Sequence, residues 1–199
     1  MATRERLLDE AERLFALRGV QGVTTREITE AAGQRNVSAV SYHFGSRQGL
    51  LSEVLSRRGG PVDCGRGEWR NRLGPRPSPH ELVACLVAPY AALLGHPEGR
   101  SYLRIVAQLR GRFAVWRVES DPATTKHLTR ILDELERVPD APSAVQRERV
   151  IALIMLLTAA VAERARRVDD GTGNELDHDA FVANLVHMCA ALIAPRGVY

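Results

Sequence analysis

The side chains whose types and spacing could do chemistry cluster early in the chain. Thr25 and Arg26 come first, Arg35 and Asn36 sit in a short polar run, Ser38, Ala39, Ser41, Tyr42 and His43 follow, and Arg47 comes just after. Hydroxyls, guanidinium groups and an imidazole of this kind exchange hydrogen bonds with phosphate oxygens and base edges, and an alanine methyl can meet a thymine methyl. Patterns for bond-breaking chemistry are missing: no Gly-x-Ser-x-Gly elbow, no Walker-type phosphate loop, no Gly-x-Gly-x-x-Gly fingerprint and no His-Glu-x-x-His zinc pair. Cys64, Cys85 and Cys189 show no ligand spacing, which suits a reduced compartment. His178 between Asp177 and Asp179 reads as the acidic start of a helix rather than a metal site. The expectation is binding without catalysis: no enzyme, no metal and no cofactor.

Elements must hold those side chains in place. At 199 residues, 45% hydrophobic and 26% charged, the chain is one ordinary globular domain or a small module joined to a larger one, which excludes a mini-protein, a large multidomain enzyme and a disordered chain. Nearly every periodic segment has helical spacing and none alternates as a strand would, so the fold class is all-α. A first helix spans about residues 4–17 and ends at Gly19. A second starts at Thr24, where Thr24-Thr25-Arg26-Glu27 has capping-box spacing, and ends near Gly33. A third runs over about residues 37–44 behind Asn36, and Gly45-Ser46 opens a fourth that reaches about Ser56. Residues 59–79, rich in arginine, glycine and proline, read as a junction between residues 1–58 and a larger helical domain, 80–199. A short helix near 68–73 interrupts it. Further helices are expected at about 80–94, interrupted by Pro89, and at 98–112, 122–137, 143–168 with Ser143 as N-cap, and 177–193.

The first module has the layout of a helix-turn-helix unit. On a helical wheel Val37, Val40 and Phe44 form the core side of the third helix, with Ser41 beside them, while Ser38, Ala39, Tyr42 and His43 lie opposite. A merely solvated face more often carries Glu and Lys. The N-termini of the second and fourth helices favour anions, and Thr25, Arg26 and Arg47 stand there. Helix pairs of this kind also serve as plain packing units, so a helical protein-interaction module without DNA binding is the rival reading. Net charge is a weak guide: +3 over the chain, with Lys126 the only lysine.

The last two helices carry more apolar surface than one stripe can bury. It is covered either by the domain's own core or by a second copy of the chain. The longest apolar run, residues 150–162, is thirteen residues, against roughly 20 for a membrane span. With no apolar leader segment at the start, the expected location is the cytoplasm, with no membrane partner.

Thr24-Thr25-Arg26-Glu27-Ile28, Ala31-Ala32-Gly33, Tyr42-His43-Phe44-Gly45-Ser46-Arg47 and Gly49-Leu50-Leu51, with Ala11-Glu12-Arg13-Leu14-Phe15 and Arg18-Gly19 upstream, strongly resemble the N-terminal DNA-binding domain of the tetracycline-repressor (TetR) family of bacterial transcriptional regulators. The resemblance covers about residues 4–58. It implies a repressor that binds a palindromic double-stranded DNA operator as a homodimer and is released by a small-molecule effector. By position it implies DNA contacts at Thr25, Arg26, residues 37–43 and Arg47, where the family usually has lysine. The turn at Gln34-Arg35-Asn36 is one residue longer than usual, and Ser41 stands where many members have an aromatic residue, so Arg35 and Asn36 join the candidate contacts. The resemblance also implies a four-helix dimer interface from the last two helices, with Leu153, Leu157, Phe181, Leu185 and Met188 as its candidates, and an effector pocket with Tyr90, Tyr102, Phe113, Trp116 and Met155 as candidate lining.

Overall fold

Leu7, Leu8, Ala11, Leu14 and Phe15 recur at helical spacing and are all buried on one side of the first helix, α1 (Thr3–Arg18). Gly19, at φ +89°, turns the chain out of it. A computed structural model describes residues 3–109, 122–139, 141–173 and 175–194. Among the described residues the regular elements are all helices. After α1 come α2 (Thr25–Ala31), α3 (Ser38–Phe44), α4 (Arg47–Asn71), α5 (Pro79–Ala91) with a 3-10 turn at Ala92–Gly95, α6 (Pro97–Leu109), α7 (Pro122–Glu136), α8 (Ser143–Asp170) and α9 (His178–Ile193).

Two cores result. One gathers Phe15, Ile28, Val40, Leu50 and Val54 from α1 to α4, together with Ile105 of α6. The other gathers Val62 of α4 with Leu86, Leu103, Leu132, Leu153 and Leu185 of α5 to α9. Leu55 packs against both. A second tie is the Gln108 side chain: its Oε1 accepts from the Val20 backbone N–H at 2.7 Å, and its Nε2 donates to the Phe15 carbonyl at 3.1 Å.

The fourth helix corrects the sequence reading. It was expected to stop near Ser56 before a breaker-rich junction at 59–79, but it continues unbroken to Asn71 with Pro61 inside it. The separate short helix at 68–73 is part of the same rod. Close packing is the reason, since it overrides local propensity. A Cβ on Gly65 would lie 3.3 Å from Pro89 of α5, and one on Gly67 would lie 2.6 Å from the His127 ring of α7. The arginines of this segment are also used internally: Arg57 pairs with Asp9 at 2.6 Å, Arg58 with Glu12 at 3.0 Å and Arg70 with Glu134 at 2.8 Å. Two smaller corrections follow from the same packing. Pro89 does not interrupt α5, and Ser143 is the first helical residue of α8 rather than its cap, with the extended Pro142 before it.

The ends of α2, α3 and α4 are tightly specified. Thr24 Oγ1 accepts from the Glu27 amide at 3.2 Å. The Glu27 carboxylate in turn accepts from the Thr24 N–H at 2.8 Å, the Thr24 hydroxyl at 2.7 Å and Arg18 at 2.6 Å. These bonds to its charged form, those of Thr24 first, hold the Glu27 carboxyl down to about 2. Gly45, at φ +73°, ends α3, and Ser46 Oγ caps α4 by accepting from Gly49 N at 3.0 Å. A Cβ on Gly49 would fall 2.0 Å from the Phe44 carbonyl oxygen.

Gly49→Ala is therefore expected to cost ~1–3 kcal/mol, as overpacking against backbone does. Gly60→Ala, whose new methyl meets only Thr124 Cγ2 at 3.8 Å, is expected to gain ~0.5–1 kcal/mol from helix propensity. Urea denaturation followed by circular dichroism checks both signs. Because folding depresses the Glu27 pKa, its contribution is complete above the ordinary value of 4.5 and is lost as pH falls towards about 2. Melting temperatures of wild type and Glu27→Gln should converge over that interval; a constant gap across it refutes the capping role.

Candidate nucleic-acid interface

The surface of α3 is set by how the helix is anchored. Val40 is 1% exposed in the N-terminal core, and Phe44 packs against that core with the Arg4 guanidinium 5.1 Å from its ring centre. Only seven residues long, α3 has too few turns to be stable alone, so these contacts fix its pose. Its outward side carries Ser38, Ser41 and Tyr42, all exposed, at the i, i+3, i+4 spacing that puts side chains on one face. Tyr42 is 84% exposed and touches the His43 ring edge-on at 4.9 Å between centres. An aromatic ring left this far in water buries little of its apolar area against its own chain.

The start of α3 differs from the wheel. Val37, expected in the core, precedes the helix and is 45% exposed; helical periodicity does not govern a residue outside the helix. Ala39 and His43, expected to be free, are half-buried, Ala39 against the N-terminal core. Asn36 is exposed, but its side-chain carbonyl accepts from Ser38 N at 2.9 Å, closing the longer turn and initiating the helix. Arg35 is exposed in that turn.

Among the basic candidates, Arg26 is 76% exposed at its side chain and paired with Glu30 at 2.7 Å, and Thr25 is half-buried in the first turn of α2. Arg47 is turned inward. Its guanidinium donates to the carbonyl oxygens of Val20 and Val23, the latter at 3.1 Å, and lies 5.4 Å from the Phe15 ring centre. The loop between α1 and α2 leaves those carbonyls without helical partners, and Arg47 satisfies them. It therefore braces the module from within.

Candidates in the larger domain separate. Tyr90 and Tyr102 are 3% and 9% exposed, with ring centres 6.4 Å apart. Burial pushes both phenols up. Met155 is elsewhere, on an open groove of about 790 Å³ shared with Ala16, Arg104, Gln108 and Ala159. Phe113 and Trp116 lie outside the described residues. Of the interface candidates, Leu153, Leu157 and Leu185 are at most 2% exposed inside the protomer's own core, a correction to their assignment. The most apolar sides of α8 and α9 face inward. Phe181 is half-buried beneath the Arg164 guanidinium, 4.8 Å from its ring centre, and Met188 is 40% exposed.

Sequence reasoning missed Gln108, Asp63 and Arg66. The last two share a stripe of α4 with Arg70, visible as an i, i+3, i+7 pattern only if residues 57–71 are read as helix.

Residues 7–54 match the family model described as bacterial regulatory proteins, tetR family. No curated protein sequence matches the chain. Among solved structures, the fold resembles a putative TetR-family transcriptional regulator from Rhodococcus sp. at TM-score 0.60 and 18% identity, covering 96% of this chain and 99% of that one. It also resembles a fatty acid degradation regulator from Bacillus halodurans at TM-score 0.60 and 14% identity, over 100% and 98%. A TetR-family transcriptional regulator from Streptomyces coelicolor aligns at TM-score 0.54 and 20% identity, over 96% and 94%. Likenesses this distant in sequence speak to fold, and the fold is TetR-like, with a helix-turn-helix at its N-terminus and no helix among the described residues long and apolar enough to cross a membrane. The N-terminal residues 7–54 thus match the tetR family of bacterial regulatory proteins, and the chain as a whole has a TetR-like fold.

Proposed function

We propose that this regulator is a homodimeric repressor that reads a palindromic operator with residues 1–58 and is released by a small molecule bound in the helical domain. The observation that carries the DNA reading is the bare outer face of α3: Tyr42 at 84% exposure beside Ser38 and Ser41, on a helix pinned from behind by Val40. Serine hydroxyls can meet several base edges, and a projecting tyrosine reaches phosphate or a base. Arg26 and Arg35 supply phosphate contacts, and Thr25 supports them from the first turn of α2. Ala39, His43 and Asn36 shape this surface, and Arg47 holds its frame.

One short recognition helix reads few base pairs, so two half-sites read by a dimer give adequate specificity. The partner-facing side of α8 and α9 is assigned to Phe181 and Met188. Release requires that an event in the helical domain reach α3, and two routes of contact support this. The rod α4 carries Leu50 and Val54 in one core and Val62 in the other. Gln108 of α6 grips the last turn of α1 and the start of the connection to α2.

Genomic fragments flanking the gene, selected by binding to the purified protein, supply the operator. Tyr42→Ala should weaken operator binding by about tenfold or more, equivalent to ~1.4 kcal/mol, with the melting temperature unchanged. Arg47→Ala should lower melting temperature and binding together. Affinity should fall steeply with salt while preference for one palindrome persists; a salt-insensitive protein without that preference would be the interaction module instead. Met188→Arg should give monomers in sedimentation, and an intact dimer refutes that face.

A further inference from the structure

The buried stripe of α4 holds three charged side chains, Asp63, Arg66 and Arg70, at 2%, 7% and 7% exposure. Two of them have hydrogen-bond partners. Asp63 accepts from the backbone N–H groups of His127 and Leu128 at 2.9 and 2.7 Å. Arg70 Nε donates to Glu134 at 2.8 Å. Arg66 is the exception: its Nε is fully buried without a hydrogen-bond partner, and its guanidinium rests only over the Tyr90 ring, 5.7 Å from the centre. The Tyr90 hydroxyl, buried beside it, also has no partner. Tyr102 stands next, edge-on to Tyr90.

Burial of this kind is costly for a cation whose donor is left without a hydrogen bond. Desolvation lowers the Arg66 pKa, but a guanidinium stays protonated in proteins, unlike a buried lysine. Asp63, one turn away, attracts it through space, but both carboxylate oxygens accept from backbone N–H groups of α7 and give it no hydrogen bond. The cluster therefore holds a buried guanidinium whose Nε has no acceptor and a phenol hydroxyl without a partner, surrounded by the aromatic and aliphatic side chains of the larger core.

We propose that Arg66, Tyr90 and Tyr102 form the recognition site for a small monocarboxylic acid with an apolar body. The guanidinium fork matches a carboxylate in bidentate geometry, the Tyr90 hydroxyl donates a further bond to it, and the rings of Tyr90 and Tyr102 cover its hydrocarbon part. A carboxylate brings one negative charge near Asp63, whereas a phosphate brings nearly two and is repelled more strongly. As the identity of the effector, this rests on the repressor reading above; as a binding site, it stands apart from it.

The full chain is melted alone and with millimolar benzoate, phenylacetate or hexanoate, with benzamide and inorganic phosphate as neutral and dianionic controls. At least one acid should raise the melting temperature by a few degrees while both controls leave it unchanged. Arg66→Met should abolish that shift because the donor fork is gone. Tyr90→Phe, which removes one hydroxyl, should reduce the shift and serves if Arg66→Met folds poorly. A shift that survives in both variants, a response to phosphate alone, or no response to any acid overturns the site. An acid that binds through Arg66 but leaves operator occupancy unchanged upholds the site and refutes effector release.

Discussion

Everything in this molecule hangs on α4 remaining a single helix from Arg47 to Asn71. Its 25 residues make a rod of about 37 Å, and both hydrophobic cores are built against it. On propensity alone the middle of this rod is a poor helix, since each glycine costs about 1 kcal/mol and Pro61 about 3 kcal/mol relative to alanine. Tertiary contact reverses the outcome. Glycine at position 67 lets the His127 ring approach closer than a Cβ would allow, glycine at 65 leaves Pro89 room that a Cβ would crowd, and Leu55, Val62 and Asp63 bring neighbouring helices onto the same length of chain. The helix is held straight by what leans on it.

This explains what could be read beforehand and what could not. The first three helices are legible because their signals are local: Gly19, the Thr24 and Glu27 box, and the Gly45-Ser46 stop all act within a few residues of themselves. So is the outward position of Ser38 and Tyr42, which follows from the anchoring of Val40, whereas Ser41, read beside the core side, is exposed as well. The rod was illegible because its cause is non-local; glycine and proline look the same in a linker and in a close-packed helix. The same holds for Leu185 and Arg47. An apolar residue on an all-round apolar helix does not reveal which side its own domain claims, and an arginine at a helix start does not reveal that loop carbonyls behind it need a donor.

The charge distribution follows the same logic. The net +3 of the chain looks like a feature meant for phosphate, yet much of the arginine is spent inside. Arg57 and Arg58 tie α4 to the acids of α1, Arg70 reaches α7, and Arg100 pairs with Asp169 of α8. Arginine suits this task because its fork bridges two elements while its stem packs on apolar neighbours. What remains on the outer side of α3 is a small, uncharged face of Ser38, Ser41 and Tyr42, so the proposed DNA reading rests on shape and hydrogen bonding there, with Arg26 and Arg35 beside it for phosphate.

The amide of Gln108 has a further consequence. One group spends its oxygen on Val20 and its nitrogen on Phe15, so only one orientation of the amide satisfies both, and a carboxylate in its place would lose the donor. Hydrogen bonds of 2.7 and 3.1 Å tolerate displacements of only a few tenths of an ångström before they weaken. The grip of α6 on the reading module is thus a threshold device rather than a spring. Small strains in the helical domain leave these bonds in place, and a larger one strands the Val20 N–H, while the Phe15 carbonyl keeps the Gly19 N–H as a donor.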